Sequence, residues 1–254
     1  LVTASTVDQA LRASIYRSNL VEERLQELID EGTLLIDVQG SIVGQINALS
    51  VYTVGDYAFG RPTRLTAISY PGKGGIIDIE RQAKLGGTIH TKGILILSGY
   101  LNSYYGQNLP LSLSASLTFE QSYDEVQGDS ASAAELIALL SSIARIPISQ
   151  DRAITGSINQ LGQIQAIGGV NEKAEGFFAV CKERGLTGEQ GVIIPQSNQR
   201  NLMLSDELLV TVKEGKFHIW AITKLEEAIP LLTGKAAGER QPDGSYPIDT
   251  FNRI

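Results

Sequence analysis

Ser130 is the residue whose surroundings most suggest chemistry, since it lies in a Gly-Asp-Ser-Ala-Ser run that begins a predicted helix over residues 130–145. Position alone favours a capping role, because serine is a preferred residue at helix N-termini. The same position suits a nucleophile, because unpaired backbone N–H groups at a helix start can stabilise an oxyanion. The catalytic interpretation therefore requires a second residue that can accept the serine proton.

The two histidines, His90 and His218, are the first candidates for that base. His90 precedes a glycine-containing helical pattern, and His218 lies in a strand pattern beside Trp220. Neither stands next to a glycine-rich loop or a group of polar residues. The run around Ser130 also lacks the last glycine of a Gly-x-Ser-x-Gly motif. A serine–histidine hydrolase is thus an open alternative with little support.

Lys173 is the other candidate base, on the first turn of a predicted helix over residues 170–184. Most helical lysines are solvated, but Lys173 is the only basic residue between Arg152 and Lys182, and apolar residues follow it. Both desolvation and a helix N-terminus lower the pKa of an amine. From an ordinary value of about 10.4, the pKa must fall by about 2–3 for a base role, which is equivalent to about 3–4 kcal/mol.

The composition excludes several classes of protein. The chain has 254 residues, 43% hydrophobic and 19% charged, which excludes a disordered or fibrous chain. The charge of 21 − 28 = −7 gives no general attraction to nucleic acid or anionic membrane surfaces, so we expect neither partner. The single cysteine, Cys181, excludes an internal disulfide and fits a cytoplasmic protein. We expect Cys181 to be a buried apolar residue.

No cofactor or metal ion is expected in this chain. With one cysteine and two histidines, a zinc site would need carboxylates to complete it, and no His-Glu-x-x-His spacing occurs. Residues 71–75 (Pro-Gly-Lys-Gly-Gly) lack the spacing and the Ser/Thr of a nucleotide phosphate loop. The longest apolar runs are too short to span a bilayer.

The hydrophobic pattern predicts a mixed α/β domain, with strands clustered in the first half and alternating with helices in the second. Helices are predicted over residues 5–31, 91–105, 130–145, 170–184 and 223–232. Strands are predicted over residues 34–38, 42–54, 64–70, 76–79, 111–119, 153–158, 162–166, 191–195, 208–212 and 217–221. The predicted division is an N-terminal helix (residues 1–32), the main domain (33–234) and a polar, loosely held C-terminal tail (235–254).

Four motifs in order resemble the proteolytic domain of Lon-family (peptidase family S16) ATP-dependent proteases, in the form of its Lon-homologue and membrane-type branches. They are residues 119–123 (Phe-Glu-Gln-Ser-Tyr), 128–132 (Gly-Asp-Ser-Ala-Ser), 155–157 (Thr-Gly-Ser) and 168–173 (Gly-Gly-Val-Asn-Glu-Lys). The resemblance covers roughly residues 33–233. It implies the α/β Lon-type fold with a mixed sheet, which is ribosomal S5 domain 2-like.

The resemblance also implies the roles of individual residues. Ser130 matches the nucleophile and Lys173 the general base of a Ser–Lys dyad, and Thr155 matches the threonine that holds the lysine amine. The histidines that some members carry before the serine are absent, and Glu120 or Asp129 is expected to do their orienting work. Glu120 equally suits a structural role as partner of a backbone group.

The family further implies an endopeptidase that degrades unfolded or damaged proteins as a cytoplasmic homo-oligomer, with a hexameric ring expected. The N-terminal helix would be the end of an ATPase helical subdomain, and ATP and magnesium are implied only for an ATPase region outside this chain. The alternative is a catalytically inactive relative that serves as a ring-forming or substrate-binding module.

Overall fold

The computed structural model of the chain describes residues 2–106 and 112–253. The helices in these residues are α1 (Ala4–Ser18), α2 (Leu20–Asp30), α3 (Ile79–Gln82), α4 (Thr88–Tyr105), α5 (Ser132–Ala144), α6 (Val170–Arg184), α7 (Asp206–Lys213) and α8 (Leu225–Thr233), with a 3₁₀ helix at Gln196–Asn201. The strands are β1 (Ser41–Ile42), β2 (Gln45–Val54), β3 (Tyr57–Pro71), β4 (Gly75–Asp78), β5 (Leu113–Phe119), β6 (Ile148–Ser149), β7 (Arg152–Ile154), β8 (Ser157–Ile158), β9 (Ile164–Gln165), β10 (Gly191–Pro195) and β11 (His218–Ile222).

A seven-stranded mixed sheet organises the domain, in the order β11-β10-β7-β2-β3-β5-β4. Strands β2 and β3 form a long antiparallel hairpin, and β5 pairs antiparallel with β3. The three strands β7, β10 and β11 are parallel to one another, as is typical of strands joined by helices. The prediction of a mixed α/β fold is confirmed.

Two apolar cores lie on the two faces of this sheet, and β10 shows how one strand serves both. Ile193 belongs to the core formed with α4, α5 and α8, whereas Val192 and Ile194 belong to the core formed with α6 and α7. Successive side chains of a strand point to opposite faces. An uninterrupted apolar run is therefore what a strand between two helical layers requires.

Helix α6 approaches strand β3 most closely at a pair of glycines. A Cβ atom on Gly60 would come within 1.9 Å of the carbonyl oxygen of Glu172, and one on Gly176 within 2.1 Å of the carbonyl oxygen of Gly60. No side chain fits at either position without separating the two backbones. The glycines thus hold the helix that carries Lys173 directly against the sheet.

The strand predicted over residues 34–38 is wrong, because these residues form no regular secondary structure and pair with no strand of the described residues. Ile36 and Val38 are buried in the second core, which produces the strand-like alternation of the sequence. The backbone is satisfied by side chains instead, since the N–H of Leu35 donates to Gln121 and the carbonyl of Asp37 accepts from Asn47.

The strand predicted over residues 208–212 is also wrong, because these residues lie in α7. Its β-branched residues favoured a strand. The buried side chains, Leu208 and Thr211, are three residues apart, which is a helical spacing. Acidic residues in the first turn further suit a helix N-terminus.

The single helix predicted over residues 5–31 is divided at Asn19 into α1 and α2. Serine and asparagine at the junction are weak helix formers that favour helix ends. No described residue of α1 is buried, whereas α2 buries Ile29, whose carbonyl accepts from Arg184 of α6. Across residues 2–106 and 112–253, no helix combines the length and apolar character needed to cross a bilayer.

The C-terminal tail, predicted to be polar and loosely held, packs one aromatic residue into the domain. Phe251 is fully buried in the first core, and its N–H donates to the carbonyl of Ala236. The next residue, Asn252, accepts a hydrogen bond from the hydroxyl of Tyr105 at 2.8 Å. A single large apolar side chain is enough to fix a polar segment that has no regular secondary structure.

Candidate active site

A short loop places Ser130 just before helix α5. Gly128 permits the turn, with a φ of +78° that favours glycine. The carbonyl of Ser130 accepts from the N–H of Gly156 at 2.8 Å and from the Thr155 hydroxyl at 3.2 Å. The N–H of Ala133 donates in return to the carbonyl of Gly156 at 3.1 Å. Residues 128–131, the serine loop, are therefore fixed to the segment of Thr155 and Gly156 that follows β7.

Lys173 reaches the same place from the first turn of α6. Its Nζ lies 2.7 Å from Oγ of Ser130 and 3.2 Å from Oγ1 of Thr155. Lys173 is 3% exposed and Thr155 is 1% exposed, so little water competes for the amine. The structure thus brings together the three residues that the sequence singled out.

Burial also sets the protonation of this amine. It lowers the pKa of Lys173 from 10.5 to about 8, although the negative charges of Asp129 and Glu172 act in the opposite direction. A substantial fraction of the amine is therefore neutral at slightly alkaline pH. A neutral amine within hydrogen-bond distance of a hydroxyl can accept its proton.

The two acidic residues suggested as supporting groups differ in position. Asp129 is half-buried beside Ser130 and acts on Lys173 through its charge. Glu120 is exposed, and its carboxylate accepts from the hydroxyl of Thr66 at 2.7 Å. The carboxylate that accepts from a backbone group at this end of β5 is Glu80, which binds the N–H of Phe119 at 2.8 Å.

The histidines have other partners. His90 is buried, with its ring nitrogens 3.2 Å from Asp78 and 3.6 Å from Glu135. His218 lies on β11, where its Nε2 is 2.8 Å from the carbonyl of Gly188. Because neither histidine lines the groove beside Ser130, the serine–histidine alternative loses its base.

A groove of about 320 Å³ opens beside the serine and the lysine. Its walls come from β2, the end of β5, the serine loop and the start of α6. They are formed by Leu49, Ser50, Val51, Phe119, Val126, Gln127, Gly128, Ser130, Ala131, Gly168, Gly169 and Lys173.

One edge of strand β2 is largely unpaired. Strand β2 pairs with β3 along its whole length, but on its other edge only Asn47 pairs with β7. Within the described residues, the rest of that β2 edge has no strand partner.

Sequence reasoning missed two features of this region. One is the glycine contact between β3 and α6, which only the tertiary structure shows. The other is a buried cluster of Asp78, Glu80 and His90, the one group of three metal-ligating side chains found in the described residues. The sequence did indicate a buried polar cluster through Glu135, because an acidic residue inside an otherwise apolar helix requires a buried partner.

Comparison with known proteins shows similarity to one protease family. Residues 125–233 match the family described as Lon protease (S16) C-terminal proteolytic domain. These residues contain Ser130, Thr155 and helix α6, and thus the Lys173 amine and both of the described hydroxyl groups to which it is hydrogen-bonded.

Three relatives illustrate the range of similarity. A Lon protease homolog of Escherichia coli (strain K12) is 51% identical over 219 residues, or 85% of this chain and 37% of the relative. One of Haemophilus influenzae is 42% identical over 237 residues, or 92% of this chain and 39% of the relative. An archaeal Lon protease of Pyrococcus abyssi is 29% identical over 224 residues, which are 80% of this chain and 21% of the relative. This chain therefore spans about two fifths of the length of the first two relatives and about one fifth of the length of the third.

Proposed function

Because residues 125–233 belong to the Lon protease (S16) proteolytic domain family, we propose that this chain is a serine endopeptidase in which Lys173 is the base for Ser130. The observation that carries the proposal is the 2.7 Å approach of a 3% exposed amine to the serine hydroxyl. A solvated lysine would remain protonated and could not accept the serine proton at neutral pH.

The reaction follows from these contacts. Neutral Lys173 takes the proton of the Ser130 hydroxyl while Oγ attacks the peptide carbonyl, giving a tetrahedral intermediate. The protonated amine then donates to the leaving nitrogen, the C–N bond breaks, and an acyl-enzyme remains. Water, activated by the same amine, hydrolyses the ester and restores Ser130. Thr155, which accepts a hydrogen bond from the amine, keeps Lys173 directed at the serine throughout.

The oxyanion is stabilised by the backbone N–H groups at the start of α5. Within the described residues, the N–H groups of Ser130 and Ala131 donate to no protein acceptor. Both precede a helix N-terminus, where the helix dipole adds partial positive charge. Donors fixed before the reaction starts stabilise developing charge without reorganisation.

The substrate binds as an extended chain along the free edge of β2. Leu49, Ser50 and Val51 line the groove from that edge, so an added peptide strand would pass Ser130. Strand addition uses backbone hydrogen bonds and therefore tolerates many sequences. Most segments of a folded protein are already paired within their own structure, which favours unfolded or damaged proteins as substrates.

The rest of the biological unit is proposed from the family. We expect the chain to act in a cytoplasmic homo-oligomer, a hexameric ring, with an ATP-dependent motor supplied by residues outside the chain. The share of the relatives that this chain spans leaves room for such a module. ATP and magnesium would belong to that region.

Hydrolysis of unstructured casein by the purified chain tests the proposal. The wild type should cleave casein, whereas Ser130→Ala and Lys173→Arg should be inactive, because arginine cannot lose its proton. Ser14→Ala, on the exposed helix α1, is the matched control and should retain activity. A folded Lys173→Arg protein that cleaves normally would contradict the lysine's role, and a wild type that cleaves nothing would favour the inactive module.

A further inference from the structure

A second group of titratable side chains lies behind the wall of the groove, outside the proposed reaction. Asp78 ends β4, Glu80 lies in α3, His90 in α4 and Glu135 in α5. All four residues are at most 4% exposed. Four separate elements thus direct three carboxyl groups and one imidazole into a space without solvent, which is costly unless the charges are compensated.

The hydrogen bonds of this cluster are incomplete. Both carboxylate oxygens of Asp78 and Nε2 of His90 are buried and make no hydrogen bond. Nε2 of His90 forms an ion pair with one of these oxygens at 3.2 Å. Buried polar atoms are nearly always hydrogen-bonded, so a buried carboxylate and ring nitrogen that lack such bonds can accept a further ligand.

The geometry suits a metal ion. One ligand atom each from Asp78, Glu80 and His90 lies within 4.8 Å of the others. Two ligand atoms bound at about 2.1 Å in tetrahedral geometry are about 3.4 Å apart, so closure onto an ion needs each ligand atom to move by about 1 Å or less. Glu135 lies 3.6 Å from Nδ1 of His90, on the side of the ring away from Asp78, and can hold the ring with Nε2 toward the ion.

We propose that Asp78, Glu80 and His90 form a binding site for one divalent transition-metal ion, of the Zn²⁺ or Mn²⁺ class. Two carboxylates and one imidazole are ligands that both ions accept, whereas Mg²⁺ and Ca²⁺ prefer oxygen ligands alone. The positive ion would compensate the buried carboxylates, which His90 alone cannot do. The site is additional to the peptidase chemistry and does not depend on it.

The contacts of Glu80 assign the ion a structural role. Glu80 accepts from the Phe119 N–H at 2.8 Å and from the Thr118 hydroxyl at 2.9 Å. Phe119 lines the groove, and its ring packs edge-on against His90. An ion held here would tie β4, α3 and α4 to the end of β5, and so stiffen the wall of the groove opposite Lys173.

The competing explanation is that protons, rather than an ion, neutralise the cluster. Burial raises the pKa of Glu135 to about 8, against the opposing charge of His90, so this carboxyl can carry a proton at neutral pH. A cluster that protons alone neutralise needs no ion, so a chain without saturable metal binding at neutral pH would favour this second explanation.

The test is metal binding by the full chain after treatment with EDTA and removal of the chelator. Titration with ZnCl₂, MnCl₂ and, for comparison, MgCl₂ is followed by calorimetry and by thermal unfolding. We expect one Zn²⁺ or Mn²⁺ per chain, a raised Tm and little effect of Mg²⁺. The relative response to zinc and manganese identifies which ion the site prefers. A wild type that binds neither ion, with an unchanged Tm, would overturn the site.

Variants then locate the ion. Asp78→Asn and His90→Gln should each weaken binding by at least about tenfold. His218→Gln, which alters the other histidine, and Asp124→Asn, an exposed acid, are matched controls that should bind as the wild type does. Binding that survives both ligand variants is surface binding and contradicts the proposal. If the variants do not fold, Co²⁺ absorption of the wild type decides: a spectrum without tetrahedral or five-coordinate bands contradicts the site.

Discussion

Lys173 and Ser130 are 43 residues apart in the chain, yet Nζ and Oγ lie 2.7 Å apart at the meeting point of two helix N-termini. Each residue belongs to an element that is fixed independently of the other: the serine loop by the Thr155 segment, and α6 by its contact with β3. The dyad geometry is therefore a property of the packed sheet and helices. In the proposed mechanism, residues that touch no substrate therefore determine the position of the base.

The pH dependence of kcat/KM should follow the ionisation of Lys173. Because the base must be neutral, and burial lowers its pKa to about 8, activity should rise with pH through about 8. Below that value it should rise about tenfold per pH unit. A fluorogenic peptide assayed from pH 6 to pH 9.5 measures the profile. A flat profile, or one that still rises about tenfold per pH unit between pH 9 and pH 9.5, would contradict a lysine base with a pKa near 8.

Lys173→Met should stabilise the protein at neutral pH, and the gain should shrink as the pH rises. In the folded state the amine loses its proton near pH 8, whereas in the unfolded chain it keeps the proton to about 10.4. Between these values unfolding binds a proton, so the wild type gains stability with rising pH. From pH 7 to pH 10 the difference in free energy of unfolding between the two proteins should shift by about 2–3 kcal/mol toward the wild type.

Urea denaturation at the two pH values measures this shift. Lys92→Met removes an exposed lysine of α4 and is the control. Its stability relative to the wild type should not change with pH in the same window. A pH-independent difference for Lys173→Met would mean that the amine is as easily protonated in the folded state as in the unfolded state.

Thr155→Val should lower kcat/KM by about tenfold or more without unfolding the protein. The substitution keeps the shape of a buried side chain but removes the hydroxyl that accepts from Lys173 and donates to the Ser130 carbonyl. Each such bond contributes about 1 kcal/mol. Thr155→Ser retains the hydroxyl and should recover most of the rate. Equal rates for the valine variant and the wild type would show that the threonine does not position the amine.

Gly60→Ala should reduce both stability and activity. Its Cβ would lie 1.9 Å from the Glu172 carbonyl, so α6 and Lys173 must move away from the sheet. We expect a loss of about 1–3 kcal/mol in the free energy of unfolding, together with most of the peptidase activity. Gly168→Ala, where an added Cβ meets nothing within 4 Å, is the control for stability. A fully active Gly60→Ala protein would argue against the glycine contact as the support of Lys173.

The sequence contains the local signals for the chemistry but not the contacts that assemble it. Ser130 and Lys173 stood out because each begins a helix, and helix starts are marked by nearby residues. Thr155 could be singled out only through resemblance to a family, since nothing in residues 153–158 shows that its hydroxyl faces a lysine. The domain boundaries predicted at residues 32 and 234 stay predictions.

The errors have physical causes. Ile36 and Val38 alternate with polar residues because they are buried in an extended segment, and periodicity does not reveal whether a segment has a strand partner. In α7, tertiary packing of Leu208 overrides the strand preference of its β-branched neighbours. The proximity of Asp78, Glu80 and His90 could not be read from the sequence, because side chains on separate elements share no spacing motif.

The role of Lys173 as the base is tested most directly by titration of its amine. NMR of ¹³C-labelled lysine side chains, with the Lys173 signal assigned by its loss in Lys173→Met, gives its pKa in the folded wild type. If Lys173 is the base, the midpoint should lie near 8. A midpoint at or above the ordinary value of about 10.4 would leave Ser130 without a base and contradict the proposed role of Lys173.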